Sequence, residues 1–230
     1  MAGPEKIAAG VYRVDAQRFP NAINVLLLEN DDGWTLVDTG AEAGRIRDAI
    51  TALGSGPEDL KRIFLTHHHG DHIGGLDGLL EWAPNAELGA TEYEAYVISG
   101  KLPPAPPKNP ILRRMASRED MPTPPVHKIL REGDIVSGFR IVSTPGHSLG
   151  HASLLRDVDG LLFTADAFGC LPRKIRVGVR KALCTDPPMA KRSARKLLGE
   201  RFATVVMAHG PVLRSDPRAK LQRAVERCRY

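Results

Sequence analysis

The sequence is poor in cysteine, in aromatic residues and in long apolar runs. Its 230 residues include three cysteines, Cys170, Cys184 and Cys228, and only 5% Phe, Trp and Tyr. A sparse, odd set of cysteines excludes a disulfide-built miniprotein. The longest apolar stretches, such as 24–28, fall far below the ~20 residues that a membrane-spanning helix needs. No membrane partner is therefore expected. Residues 1–19 intersperse Glu5, Lys6, Arg13 and Asp15, without the basic start, apolar middle and small-residue cleavage site of an export signal. Free thiols in a reducing cytoplasm are the matching expectation.

What is present is ordinary for a globular chain: 42% hydrophobic and 26% charged residues. That excludes a disordered or collagen-like chain. A folded chain of this size buries about 70% of its unfolded surface, enough for one domain over 1–230. The net charge is +5, but it is unevenly spread. Residues 171–201 hold ten Lys or Arg against Asp186 and Glu200, hence +8, which leaves −3 for the remainder. Such a stretch either attracts an anionic partner or is a solvated helix face plus a loop.

Alternating and turn signals predict strands at 11–15, 24–28 and 34–37, the last after the turn Asn30-Asp31-Asp32-Gly33. A helix follows over 43–53, with Ile46, Ala49, Ile50 and Leu53 at helical spacing. Strands are predicted at 62–66 and 87–90, and helices at 73–82 and 92–98. Eight of the eighteen prolines lie between Pro103 and Pro125, so 100–126 reads as a surface excursion with a helical turn or two at 111–117. It is either a lid or a linker, with Ile111, Leu112 and Met115 as candidate lining of an apolar pocket. The second half repeats the pattern. Strands are predicted at 129–130, 135–136, 140–143, 153–155, 161–164 and 204–207, and helices at 189–198 and 219–227. Strand-rich stretches followed by helices occur twice, which predicts two similar α/β halves.

The chemistry concentrates in Thr66-His67-His68-His69-Gly70-Asp71-His72. At a strand end, side chains two apart point the same way, so His67 and His69 can grip one ion. Asp71 and His72 sit where the strand becomes a helix and can serve a second. His68 points away and is not expected to be a ligand. Imidazole and carboxylate are the donors of hydrolytic zinc. Three further strand ends deliver one candidate each: His147 in Thr144-Pro145-Gly146-His147, Asp166 in Thr164-Ala165-Asp166, and His209 in Ala208-His209-Gly210. Together these make seven ligands, the number that two metals sharing an open position need. Cys170 reads as a packing or pocket-wall thiol, His151 as a residue behind the ligands, and His127 as a surface residue.

His67-x-His69-x-Asp71-His72, Pro145-Gly146-His147, Asp166 and His209-Gly210 resemble the metallo-β-lactamase fold superfamily of hydrolases over almost the whole chain. The resemblance implies an α/β fold, a four-layer αβ/βα sandwich with a dinuclear metal site. Carried over residue by residue, His67, His69 and His147 would bind one metal, Asp71, His72 and His209 the other, and Asp166 would bridge them. Asp38, in Asp38-Thr39-Gly40, would accept a hydrogen bond from a ligand histidine and steady it. The chain departs from true β-lactamases, which lack the bridging Asp. It also departs from lactone-degrading members, whose Tyr three residues after that Asp is Gly169 here. Cys170-Leu171-Pro172-Arg173 only faintly echoes the glutathione-thioester hydrolases.

The implied activity is attack of a metal-bridging hydroxide on a carbonyl: a carboxylic ester, lactone or thioester. Bound zinc brings the pKa of water to about 7, and Asp71 would orient the nucleophile and shuttle its proton. The cofactors expected are two divalent ions, Zn2+ first, with Fe or Mn accepted by the same donors. The alternative is a phosphodiesterase or nuclease on the same metals; β-lactam hydrolysis and a non-enzymatic metal-binding role are further alternatives. The expected partner is a small-molecule substrate, with an anionic group hinted at by the basic stretch. Nucleic acid is not expected as a partner, and oligomeric state is not legible.

Overall fold

The computed structural model describes residues 3–106, 109, 123–170 and 173–230. The helical turns expected at 111–117, with Ile111, Leu112 and Met115, lie outside the described residues, as does much of the expected excursion at 100–126. The chain forms two compact units, the first from 3–102 with 123–130, the second from 103–106, 109, 131–170 and 173–230.

The first unit is built on a seven-stranded sheet whose spatial order follows the chain: β1 (Glu5–Ala8), β2 (Val11–Asp15), β3 (Asn24–Asn30), β4 (Gly33–Val37), β5 (Leu60–Leu65), β6 (Glu87–Thr91) and β7 (Lys128–Leu130). β1 to β4 pair antiparallel, and β4 to β7 pair parallel. Asn30 pairs with Gly33 across the Asp31-Asp32 turn, as the sequence signal predicts. Helix α1 (Ala43–Ala52) joins β4 to β5; α2 (Gly70–Ile73) and α3 (Leu76–Trp82) join β5 to β6; α4 (Glu92–Ile98) follows β6. Alternate strand residues share a face, and Val25, Leu27, Leu36, Ile63 and Leu65 pack on Ile46 and Ile50 of α1 and Leu76 and Leu79 of α3. Each such fully buried Leu or Ile contributes roughly 1.5–3 kcal/mol.

The helix expected at 73–82 is instead two helices broken at Gly74-Gly75. The backbone of the Asp38-Thr39-Gly40 turn occupies the space. A Cβ on Gly75 would lie 2.6 Å from the Thr39 carbonyl oxygen, and one on Gly74 would lie 2.9 Å from that of Ala41. Gly75 N donates to Gly40 O at 3.0 Å and Thr39 N to His72 O at 2.7 Å. The glycines thus let a loop lie directly on a helix junction.

In the second unit a five-stranded sheet runs β14-β11-β10-β9-β8, with β8 (Ile135–Val136), β9 (Phe139–Ser143), β10 (Ala152–Arg156), β11 (Leu161–Phe163) and β14 (Thr204–Val206). β14 pairs parallel with β11, and the other pairs are antiparallel. Val142, Leu155, Leu162, Val205 and Met207 form one core with Ala190, Ala194 and Leu197 of α5 (Pro187–Gly199) and Leu221 and Val225 of α6 (Pro217–Arg227). Both helices begin two residues earlier than expected, because proline suits the first helical position, where no N–H is needed. Asp186 caps α5 by accepting from Met189 N at 2.9 Å. Arg192, Arg195 and Lys196 of α5 are exposed, so this part of the basic stretch is a solvated helix face.

The rest of that stretch, read as a loop, contains a hairpin instead: β12 (Phe168–Cys170) pairs antiparallel with β13 (Ile175–Val177). Strands this short are indistinct in sequence. Among the described residues no helix is long and apolar enough to cross a membrane, and the three cysteines form no disulfide.

Candidate metal centre

In the first unit β5 ends at Leu65, one residue before its expected end, and Thr66 to His69 leave the sheet as irregular backbone that caps α2. Asp38, in the left-handed region at φ 63°, follows β4 and is fully buried. Its carboxylate organises the segment beside it. Thr66 N donates to Oδ1 at 2.8 Å, Thr66 Oγ1 donates to Oδ2 at 2.8 Å, and His72 Nδ1 donates to Oδ2 at 2.8 Å. Thr39 Oγ1 adds a bond to His72 O at 2.9 Å. A carboxylate can only accept, so the His72 proton sits on Nδ1 and Nε2 carries the lone pair. This is the arrangement that metal-binding histidines adopt.

His67 and His72 are buried, and their ring centroids are 4.0 Å apart; those of His67 and His69 are 4.7 Å apart. His67 and His69 offer ligand atoms within 4.8 Å of one another, and so do Asp71 and His72 in the first turn of α2. His69 and Asp71 are half-buried. His68 turns the other way. Its Nδ1 lies 2.6 Å from Glu94 Oε2, and its backbone N donates to the same oxygen at 3.0 Å. Glu94, on α4, has 0% exposure, and the sequence reading missed it. The signal available was a Glu on the apolar stripe that carries Ile98 one turn on.

In the second unit the loop after β9 is clamped to the start of α5. Ser193 Oγ donates to Pro145 O at 2.7 Å, Asp186 N to Gly146 O at 2.9 Å and Thr185 N to His147 O at 3.0 Å. Asp166 sits in a tight turn after β11, 3% exposed. His147 Nε2 lies 3.1 Å from its Oδ2 and His209 Nε2 lies 3.4 Å from its Oδ1. The two oxygens of one buried carboxylate thus face two different imidazoles. Asp166 N donates to His151 Nε2 at 3.0 Å, which places the His151 proton on Nδ1, 2.8 Å from Thr144 Oγ1. Thr144 Oγ1 lies 2.9 Å from Ser153 Oγ, which donates to Thr164 O at 3.0 Å. One consistent donor direction runs from the Asp166 amide to the Thr164 carbonyl, through a buried His151 that stands one residue before β10.

Cys170 is half-buried on β12, and its amide donates to His209 O at 2.6 Å. Burial pushes its thiol pKa up, against the opposing charge of Arg176. A thiol kept protonated suits packing. Among the described residues neither Cys170 nor His68 belongs to a cluster of donor atoms that could hold an ion. His127 is exposed, and its Nδ1 accepts from Leu88 N at 3.0 Å.

The model of the metallo-beta-lactamase superfamily matches residues 18–209. The uncharacterized protein YobT of Bacillus subtilis is 29% identical over 216 residues, which cover 90% of this chain and 91% of that protein. A hydroxyacylglutathione hydrolase of Cereibacter sphaeroides is 29% identical over 196 residues, 79% of this chain and 66% of the hydrolase, so the chain spans just under two thirds of that relative. A solved metallo-beta-lactamase of Cronobacter sakazakii with a HARLDQ motif is similar in fold, with a TM-score of 0.73 at 22% identity, over 99% of this chain and 92% of that one. The chain belongs to the metallo-beta-lactamase superfamily, has its fold, and is in consequence a metal-dependent hydrolase.

Proposed function

We propose that the chain hydrolyses a carboxylic thioester or ester, using two divalent ions held by His67, His69, Asp71, His72, His147, Asp166 and His209. The observation that carries this reading is Asp166, whose two oxygens face His147 Nε2 and His209 Nε2 at 3.1 and 3.4 Å. A carboxylate so placed can serve two ions at once. The donors are imidazole nitrogens and carboxylate oxygens, a set that fits zinc and also accepts iron or manganese; zinc is our assignment. When bound, such ions acidify water and polarise a carbonyl.

The chain's own residues do the rest. Asp38 fixes the tautomer and direction of His72, and the Thr144–His151 chain fixes the backbone of Asp166. Asp71, half-buried at the start of α2, accepts a proton from the attacking water and passes it to the departing sulfur or oxygen. The preference for a thioester leans on the hydroxyacylglutathione hydrolase relative. Lactone hydrolysis gets less support, because Gly169 offers no hydroxyl two residues beyond the turn at Ala167.

The deciding assay uses protein reconstituted with zinc against a glutathione thioester, an aryl ester, a lactone, a β-lactam and bis-p-nitrophenyl phosphate. Turnover of thioester or ester, abolished by chelator and restored by metal, is expected. Turnover confined to the phosphodiester would overturn the assignment and favour a phosphodiesterase.

A further inference from the structure

The second unit contains a cavity of about 470 Å³ between β13, the turn that follows it and the end of α6. Six cationic side chains line it: Lys174, Arg176, Arg180, Lys181, Arg227 and Arg229. No Asp or Glu side chain is among the described residues that line it. Elsewhere in the chain arginines sit on carboxylates: Arg13 beside Glu5 and Asp15, Arg140 between Asp157 and Glu200, Arg156 on Asp159. Here, among the described residues, Lys174, Arg180, Arg227 and Arg229 form no ion pair.

The lining is also apolar and held in place. Ile175, Val177, Ala224, Cys228 and the Tyr230 ring supply its apolar surface. Tyr230 Oη donates to Val177 O at 2.7 Å, which fixes the ring on the hairpin. Lys181 Nζ stands 5.3 Å from the ring centroid. Lys191 Nζ donates to Cys228 O, which ties the end of α6 to α5.

Gathering six like charges in one concavity raises the free energy of the empty protein and lowers that of an anion entering it, because low-dielectric walls focus the field. Guanidinium and ammonium groups only donate, and the guanidinium fork matches the paired oxygens of a phosphate. A single carboxylate would leave most of the positive charge unmatched, whereas a diphosphate would not. The apolar lining and the fixed phenol ring suit a flat organic body, and the volume lies in the range of small-molecule sites, roughly 300–1,000 Å³. We propose that this cavity binds an organic phosphate of nucleotide size, with its phosphates on the arginines and its ring against Tyr230 and Ile175. The site is separate from the ligand residues, so the proposal stands whatever bond the enzyme cleaves.

Calorimetric titration of the zinc-loaded full chain with ADP tests it. Saturable binding is expected at low salt, weakening as the Debye length falls from about 10 Å at 0.1 M to about 3 Å at 1 M. Adenosine and inorganic phosphate, each half of the probe, should bind more weakly than ADP. Arg180→Gln with Arg227→Gln, both exposed, should weaken ADP binding at least about tenfold by removing two charge-assisted contacts, with metal content and Tm unchanged. If that pair impairs folding, Lys174→Gln with Arg229→Gln, also exposed, makes the same comparison. Absence of ADP binding at low salt overturns the proposal. So does equal ADP affinity in parent and variant, which would put the nucleotide on the metal ions, and so does adenosine binding as tightly as ADP.

Discussion

His72 Nδ1 and Thr66 N are held by opposite oxygens of the same carboxylate, Asp38 Oδ2 and Oδ1, each at 2.8 Å. One buried acid therefore sets both the ring on α2 and the backbone that leads into His67. Replacing Asp38 by Asn would present an amide N–H to one of two donors. His72 would lose its partner or shift its proton to Nε2, where the lone pair is needed. Asp38→Asn is expected to weaken metal binding about 10–100-fold with the fold retained. Zinc retention against a graded chelator, followed beside far-UV circular dichroism, measures this. Unchanged retention would refute the role.

Asp166→Ala removes the carboxylate that faces His147 and His209 but almost no apolar contact. The variant should melt like the parent and lose most of its hydrolysis, with metal content reduced at both positions. Elemental analysis after purification without chelator is the check. Two ions per chain in active Asp166→Ala protein, with Cys170→Ala inactive instead, would mean that the bridge lies elsewhere.

His68 and Glu94 predict a contrast with His69. Removing the His68 ring takes one partner from a fully buried carboxylate, which keeps the backbone N–H of residue 68, at a cost of about 1–3 kcal/mol, yet removes no proposed metal donor. His68→Ala should therefore show a lowered Tm with metal stoichiometry and kcat largely kept. His69→Ala should show the reverse. A double-mutant cycle with Glu94→Ala should return a coupling energy above ~1 kcal/mol; additivity of the two substitutions would dismiss the pair.

The Cys184 thiol is pushed up to about 12 by burial, aided by the charge of Asp166. Below pH 9 the thiol is protonated folded or unfolded. Between pH 9 and 12 the unfolded chain releases a proton that the folded chain keeps, so stability falls with rising pH, by at most about 1.4 kcal/mol per unit. Urea melts at pH 8 and pH 10.5 should show a smaller loss in Cys184→Ala than in the parent. The same burial predicts that an alkylating reagent labels Cys170 well before Cys184 in the native protein.

Most of the fold and the residues of the candidate centre were legible because they carry strong local signals. The Asp31-Asp32 turn, the 43–53 periodicity and the His67-x-His69-x-Asp71-His72 spacing each depend on neighbours in sequence. What escaped depends on contacts distant in sequence. The break at Gly74-Gly75 exists because the turn after β4 lies on it, and the role of Glu94 exists because His68, 26 residues earlier, turns toward it. The β12–β13 hairpin escaped for a different reason, since strands of three residues carry no usable period. His68 shows the limit of the alternation rule. The rule correctly turned the ring away from its neighbours, but it could not say that another charge was waiting there.

Gly75 lies 36 residues beyond Thr39 in sequence, yet it governs how far the tight turn after β4 can approach. A Cβ there would stand 2.6 Å from the Thr39 carbonyl, and Thr39 is covalently next to Asp38. The added methyl group would act as a lever, pushing the carboxylate away from the His72 ring without touching any residue of the candidate centre. A change to Ala at this position, which in most helices is a mild stabiliser, would here behave in a mutational screen like damage to the catalytic apparatus itself.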